Sequence, residues 1–319
     1  MSTTSAPAVT RVRIATRGSA LAIRQTELVV NALRLHWPGL EVELTTVRTI
    51  VDQDQAQPIA ARGNGVFVRG VEAELLAGRA DIAVHSAKDV PATEQPGLVL
   101  AAFPPRADAR DALVSRARGG WARLPRGARL GTGSARRAAL ARALRPDLDV
   151  ALIRGNVDTR LRRLHEGEYD AIVLAAAGLE RLGLWRAISE PLDPAIWLPA
   201  PGQGALAVQC RADPRLHRLL APLDHAPTRT AVTAERAALR RLGGGCSIPF
   251  GAYARLTEGE LVINGALLSS DGDETAMAER RGDPRDATLL GMALAEQLLR
   301  HVRLFWRRSA RRGICARRV

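Results

Sequence analysis

Lysine is nearly absent from this chain. Of its 46 lysine and arginine residues, only Lys88 is a lysine. Arginine carries a planar guanidinium that stays charged, whereas lysine carries a compact ammonium with three donors and a tunable pKa. A single retained lysine indicates a position where the two residues are not equivalent, with chance retention on a solvated face as the alternative.

Cysteine is also scarce. The three cysteines are Cys210, Cys246 and Cys315, and no Cys-x-x-Cys pair occurs. An odd number without such spacing argues against a disulfide framework and a structural zinc site, so we predict no metal. What remains is whether one of the three is a reactive thiol.

Long apolar runs are missing as well. No stretch approaches the roughly 18 residues of a membrane helix, and residues 1–10 lack the charged start and apolar core of a secretory signal. We therefore expect a cytoplasmic protein, with no membrane partner and with residues 1–10 as a flexible extension.

Positive charge is concentrated at the end of the chain. The formal net charge is +13, and residues 303–319 contain seven arginines and no acid. Such a tail could attract nucleic acid by unspecific electrostatics. Because aromatic residues there are limited to Phe305 and Trp306, we favour a flexible extension with no specific nucleic-acid partner.

Strands alternate with helices through the first two thirds of the sequence. Residues 11–16, 41–47 and 82–84 read as strands, with helices from Ser19 to about Leu35 and over 68–76. After residue 129 the pattern restarts, with strands at 129–130, 151–153 and 169–174 and helices after Ser134 and over 157–164. This alternation predicts two α/β domains with mostly parallel sheets and a cleft between them.

The last third has a different pattern. A helix over 228–242 precedes short alternating strands at 249–256, 260–268 and 274–280, and a final helix spans about 286–302. We predict a small α+β domain here.

Cationic residues follow several of these strands. Arg17, Lys88, Arg136 and Arg154 all stand near strand ends, and ligands of open α/β sheets bind beyond the carboxyl ends of strands. Gly131-Thr132-Gly133-Ser134 lacks the third glycine of a dinucleotide site. With Arg136 and Arg137 at the helix start, it favours a cradle for carboxylate or phosphate.

Two further residues suggest chemistry. Asp89, beside Lys88, is a candidate acid–base group that would stabilise a developing cation, although an Asp-Val-Pro turn is the structural alternative. Cys246 follows three glycines, so a large covalent adduct could be held there. Cys210 lies in an apolar run and reads as a small buried side chain.

Several segments, taken together, resemble the porphobilinogen deaminase family of tetrapyrrole biosynthesis. They occur in the family's order and cover about residues 11–302. Segments 80–91 and 244–249 form a highly specific pair. The segments are 14–19, 80–91 (RADIAVHSAKDVP with Arg79), 131–137, 154–160, 169–184, 201–204 and 244–249.

The resemblance implies a fold class and domain boundaries. Two binding-protein-like α/β domains would flank a cleft, followed by a small α+β C-terminal domain. The first domain would comprise residues 11–104 with 203–222, the second 108–200 and the third 226–302, with 303–319 outside the pattern.

The resemblance also implies hydroxymethylbilane synthase activity by a monomer. A dipyrromethane cofactor, joined to Cys246 through a thioether, would prime the chain. Four porphobilinogen molecules would then add in turn, each losing ammonia to give a methylene-pyrrolenine that the terminal pyrrole attacks, before hydrolysis releases the linear tetrapyrrole.

Site residues carry over position by position. Asp89 and Lys88 would be catalytic. Besides Cys246, the cofactor would be held by Lys88, Ser86, Ser134, Arg136, Arg137, Arg160 and Gly155, and the substrate by Arg17, Ser19, Gln25, Arg154 and Gln203. Arginines suit this role because each pyrrole carries an acetate and a propionate.

The chain departs from the family pattern at Asn64, Gly70, Gly133 and Gly243, none of which is Asp89 or Cys246. A carboxylate-binding protein without catalysis is the alternative function.

Overall fold

The computed structural model describes residues 9–47, 65–66, 68–117, 119–244 and 248–311, without the side chains of 303–311. The chain divides into two compact units. The first consists of Met1–Ala107 and Gly204–Arg229, and the second of Asp108–Gln203 and Thr230–Val319.

The first unit is built on a five-stranded mixed sheet with the order β2-β1-β3-β10-β4. Strands β1, β2 and β3 are parallel, and β10 runs antiparallel to both β3 and β4. The elements are β1 Arg11–Arg17, α1 Ala20–His36, β2 Glu41–Val47, α2 Arg69–Leu76, β3 Ile82–Ser86, β4 Leu98–Ala102, β10 Leu206–Arg211 and α6 Pro214–Leu220.

Two apolar layers cover the faces of this sheet. Ile14 and Ile82 point to one face, where they pack with Leu33 of α1 and residues of α6. Ala15 and Ala83 point to the other face, against Val71 and Leu75 of α2. Each fully buried Ile or Leu side chain contributes about 1.5–3 kcal/mol to folding.

The second unit contains another five-stranded sheet, with the order β7-β6-β8-β5-β9. Strands β6, β7 and β8 are parallel, and β5 is antiparallel to β8. The elements are β5 Asp111–Ser115, β6 Arg129–Gly131, α3 Ala135–Leu144, β7 Asp149–Ala151, α4 Val157–His165, β8 Ala171–Ala175, α5 Ala176–Arg181 and β9 Glu190–Pro191.

An antiparallel three-stranded sheet and two helices complete the second unit. They are α7 Ala226–Arg241, which belongs to this unit from Thr230 onwards, β11 Phe250–Thr257, β12 Glu260–Leu268, β13 Thr275–Gly282 and α8 Ala287–Arg311. Leu294 and Leu298 of α8 pack on this sheet. Gly291 lets the two helices approach, because a Cβ there would lie on the backbone of Ala234. The predicted fold class, two α/β domains and a small α+β domain, is confirmed.

Several predictions about elements need correction. Four of the five strands in each large sheet run in the same direction, as predicted, but the sequence did not predict the one reversed strand in each, β10 or β5. The strand predicted at 151–153 ends at Ala151, after which Leu152 is exposed. Residues 303–311, predicted as flexible extension, continue α8 as helical backbone to Arg311. Arginine is a good helix former, and no glycine or proline interrupts this segment.

Candidate functional site

The predicted residues of the first unit gather where β1 and β3 end. The two strands are parallel neighbours, with Ala15 level with Ala83, so Arg17 and Ser86 finish at the same edge of the sheet. A short 3-10 turn, Ala87–Asp89, follows β3 directly and leaves Lys88 and Asp89 half-buried. The Ala87 amide donates to Ala205, which ties this turn to the start of β10.

Helix α1 supplies two more predicted residues at this edge. Ser19 caps the helix, its hydroxyl accepting from the Ala22 amide at 3.3 Å. Gln25, one turn into the helix, is buried and hydrogen-bonded to Ser86, with 2.9 Å between Nε2 and Oγ. The first unit therefore places Arg17, Ser86, Lys88 and Asp89 at or just after the carboxyl ends of β1 and β3. Ser19 and Gln25 of α1 lie beside them.

A buried polar chain lies behind this edge. His85 Nε2 is 3.0 Å from Gln209 Oε1 on β10, and Gln209 Nε2 donates to Glu72 Oε1 on α2, also at 3.0 Å. All three side chains are buried. Burial lowers the pKa of His85 to about 4; the charge of Arg17 acts in the same direction, against the hydrogen bond to Gln209 Oε1.

The buried His85 imidazole is expected to make the protein less stable in mild acid. Its pKa falls from 6.5 to about 4 on folding, so the unfolded chain takes up this proton at higher pH. The contribution to stability is complete above about pH 6.5. It is lost as the pH falls towards 4, by up to about 3 kcal/mol.

Urea unfolding of the wild type and His85→Gln across this pH window checks the prediction. The wild type should lose free energy of unfolding more steeply as the pH falls. Parallel pH dependences for the two proteins would contradict it.

The second unit is organised around Asp111, a fully buried carboxylate at the start of β5. Because β5 is antiparallel, Asp111 lies opposite Ala175 at the end of β8. Both Arg136 and Arg137, in the first turn of α3, bind it, at 2.8 and 2.7 Å. Trp197 Nε1 donates to the same carboxylate at 2.8 Å.

This cluster carries net positive charge. Burial alone would raise the pKa of Asp111, but the charges and hydrogen bonds of Arg136 and Arg137 hold it well below its usual range. Two guanidinium groups thus share one carboxylate. Arg136 and Arg137 also donate to the carbonyls of Leu198 and Val173. Both predicted cofactor arginines are therefore largely buried, with most of their bonds made inside the unit.

Gln203 joins the same cluster. It is fully buried and donates from Nε2 to Asp111 Oδ1 at 2.7 Å and to the Ala109 carbonyl at 2.8 Å. The preceding Gly202 amide donates to the buried Glu235 at 2.6 Å. Glu235 also accepts from Ala254 on β11, so α7 and β11 fix the backbone beside Gln203.

The loops after β6 and β7 hold the remaining predicted residues. Ser134 caps α3 and accepts from the Arg137 amide. Arg160 Nε donates to the Gly155 carbonyl at 2.8 Å, and Gly155 has a φ of +102°. A Cβ there would lie 2.7 Å from Thr159, so this close turn requires glycine. Arg154 is half-exposed in the same loop.

Gly133, one of the departures from the family pattern, is sterically constrained. It is exposed, but a Cβ at this position would lie 2.8 Å from the Ile153 carbonyl oxygen. A serine here would need the neighbouring backbone to move.

The cysteines fall into two groups. Cys210 is fully buried on β10, which confirms the prediction of a small buried side chain, and burial raises the pKa of its thiol to about 11. Cys246, like Asn64 and Cys315, lies outside the described residues. Within the described ranges, no group of three or more His, Cys, Asp or Glu side chains could hold a metal ion, and no helix is long and apolar enough to span a membrane.

The sequence reasoning missed Asp111, Trp197, Gln209 and Glu72. The predicted site residues follow the carboxyl ends of parallel strands, whereas Asp111 stands at the start of an antiparallel strand. A usable signal was present, since an acid at the head of the apolar run Ala112–Val114 must be paired if it is buried.

Comparison with known proteins identifies the class. The family model described as "Porphobilinogen deaminase, dipyromethane cofactor binding domain" matches residues 12–218, and that for the "Porphobilinogen deaminase, C-terminal domain" matches 229–300. The chain therefore belongs to the porphobilinogen deaminase family. It is a transferase of tetrapyrrole biosynthesis with a dipyrromethane-binding domain.

Individual relatives agree over most of their length. The chain is 52% identical over 288 residues to the porphobilinogen deaminase of a Roseiflexus species, covering 90% of this chain and 95% of that one. It is 48% identical over 290 residues to that of Syntrophobacter fumaroxidans, covering 90% and 94%. A periplasmic binding protein of Salmonella typhimurium described as highly arginine-specific has a TM-score of 0.41 at 14% identity, covering 67% of this chain and 91% of that one.

Proposed function

We propose that this chain is a hydroxymethylbilane synthase in which Asp89 is the acid–base residue and Cys246 anchors the cofactor. It condenses four porphobilinogen molecules, with loss of ammonia, and releases hydroxymethylbilane by hydrolysis, for heme-type tetrapyrroles. The observation that carries the residue assignment is the half-buried Lys88–Asp89 turn at the end of β3, in a chain of this family.

The described residues fit a cofactor that bears several carboxylates. In the second unit, two guanidinium groups share the single Asp111 carboxylate. Among the described side chains, Arg136 Nε is a buried donor with no acceptor. A buried donor without a partner is costly, and a ligand carboxylate would remove that cost. Ser134, Arg137, Arg160, Gly155, Ser86 and Lys88 are the other proposed cofactor contacts.

The bound dipyrromethane supplies the pyrrole on which the chain is extended. Asp89 stabilises positive charge that develops on the reacting pyrrole and exchanges protons with it through its carboxylate oxygens. Lys88, next to it, binds a carboxylate through its compact ammonium. Because the turn is attached to the end of a buried strand, both groups are held by the sheet rather than by a free loop.

Substrate carboxylates are proposed to bind Arg17, Ser19, Gln25, Arg154 and Gln203. Ser19 and Gln25 are already oriented by the N-terminus of α1 and by Ser86. Arginine suits this task since its planar fork matches a carboxylate in two-point contact. Gln203 is fully buried beside Asp111, so its proposed contact requires ligand access to that cluster.

The intact mass of purified protein tests the function. We expect an adduct of dipyrrole size on the wild type, lost in Cys246→Ser together with hydroxymethylbilane formation. Cys210→Ala is the matched control and should keep the adduct, because that thiol is buried in the first unit. An unmodified wild type that releases no ammonia from porphobilinogen would refute the proposal, and tight reversible binding would then favour a carboxylate-binding protein.

We also propose, from the resemblance, that the enzyme acts as a monomer in the cytoplasm. Light scattering of the active, cofactor-loaded protein should give the mass of one chain. A stable dimer at assay concentrations would contradict this.

A further inference from the structure

One face of the first sheet carries a polar chain within an apolar layer. Ala15 and Ala83 on this face pack against α2. Two residues further along the same strands, on the same face, stand Arg17 and His85. Ala15 pairs with Ala83 on the adjacent parallel strand, and the same register continued by two residues brings Arg17 level with His85.

The hydrogen bonds among Glu72, Gln209 and His85 indicate which nitrogen of the His85 ring carries the proton. A carboxylate only accepts, so the amide nitrogen of Gln209 must face Glu72, as the 3.0 Å contact shows. The carbonyl oxygen of Gln209 is then left to face His85 Nε2, also at 3.0 Å. An amide oxygen only accepts, so Nε2 carries the proton. The ring is buried, which favours its neutral form, and in that form Nδ1 carries no proton.

The neutral ring matters because of its neighbour. Arg17 lies close enough for its charge to act on the imidazole. The other polar and charged groups around His85 are Gln209 on β10, Glu72 on α2 and, in the adjoining turn, Lys88 and Asp89. His85 Nε2 faces Gln209 on β10, whereas Arg17 belongs to β1 on the other side of β3. A proton on Nδ1 would therefore place a donor on the Arg17 side of the ring, and in the charged ring a second positive charge as well.

We infer that Glu72 is a positioning residue: through Gln209 it holds His85 as the neutral Nε2–H tautomer and thereby keeps Arg17 in place for a substrate carboxylate. The inference rests on the proposed function for the role of Arg17. Glu72 and Gln209 act only through His85 and have no assigned contact with substrate.

The variant Glu72→Gln tests whether Glu72, through Gln209, sets the tautomer of His85. A glutamine at position 72 can donate as well as accept, so the Gln209 amide is free to turn over and offer its nitrogen to His85. This selects the other tautomer, with the proton on Nδ1. We expect the KM for porphobilinogen to rise about tenfold while kcat stays within about twofold, because ground-state and transition-state binding by Arg17 weaken together.

The tautomer is read directly by nitrogen NMR of histidine-labelled protein, with the His85 signal assigned by its loss in His85→Gln. The wild type should show a neutral ring protonated at Nε2, and Glu72→Gln a shift towards Nδ1–H. Asp81→Asn is the matched control: Asp81 precedes the same strand at its opposite end, where it binds Arg13 and Arg211. It should lower stability without changing the tautomer or KM.

The inference fails if wild-type His85 is an imidazolium or an Nδ1–H tautomer at neutral pH, a result that does not need any variant to fold. It also fails if Glu72→Gln changes the tautomer but leaves KM unaltered. Failure of the proposed function is recognised separately, by a wild type that carries no dipyrrole adduct and forms no hydroxymethylbilane.

Discussion

Replacing Asp111 by asparagine is expected to lower the free energy of unfolding by about 3–5 kcal/mol, the cost of breaking a buried ion pair from one side. Five N–H groups converge on this carboxylate, from Arg136, Arg137, Trp197 and Gln203. Asparagine keeps the shape but removes the charge. Two buried guanidinium groups would then lack a counterion, and the NH2 group of the new asparagine would face N–H groups that also donate.

Urea unfolding followed by tryptophan fluorescence measures this effect, since Trp197 is itself bound to Asp111. Asp283→Asn is the matched control: Asp283 pairs with Arg285 in the same unit, but Arg285 is 89% exposed. Exposed pairs contribute about 0–1 kcal/mol, so the control should be nearly neutral. Equal losses in the two variants would show that the buried cluster is not a special source of stability.

Replacing Asp89 by asparagine is expected to lower kcat about 10²–10⁴-fold, the range typical of a lost acid–base group. Asparagine fits the half-buried turn after β3 but can neither hold a negative charge nor transfer a proton. Stability should change little, because no hydrogen bond of the Asp89 carboxylate is among those that define the turn. The measurement is the rate of hydroxymethylbilane formation by protein whose adduct mass has been verified.

Glu94→Gln provides the control for that experiment. Glu94 is an exposed carboxylate five residues further along the same connection, so the variant removes one charge close in sequence without touching the turn. It should retain wild-type kcat. If Asp89→Asn with a full adduct also turned over at the wild-type rate, Asp89 would not be the acid–base residue.

The sequence predicted those parts whose signal is local. Ser19 has a capping hydroxyl followed by a helical apolar pattern, and the predicted helix is α1. The buried run before His85 predicted β3, and with it the position of Lys88 and Asp89. Antiparallel β10 was missed because the apolar run Leu206–Val208 is only three residues long before Gln209, and so short a run has no period that distinguishes strand from helix.

The burial of the Arg136 and Arg137 side chains against Asp111 could not be predicted from the sequence. Their partner Asp111 is 25 and 26 positions away, and only strand order brings the start of β5 beside the helix after β6. The same holds for Glu72 and Gln209, which are 137 positions apart. Sequence spacing predicts what neighbours share along the chain, whereas these bonds depend on which strands pair.

The position of β10 has a consequence for how the protein is made. The first unit is interrupted in sequence, and its sheet needs Leu206–Arg211 between β3 and β4. Until the ribosome has produced that segment, β3 has an unpaired edge and β4 lacks the neighbour that joins it to the sheet. His85 also lacks Gln209, and Trp37 lacks the Leu219 carbonyl to which it donates. The Asp108–Gln203 segment is therefore synthesised while the first sheet is still incomplete. A nascent chain arrested near residue 203 would expose unpaired backbone N–H and C=O groups, to which a chaperone or a neighbouring copy could bind.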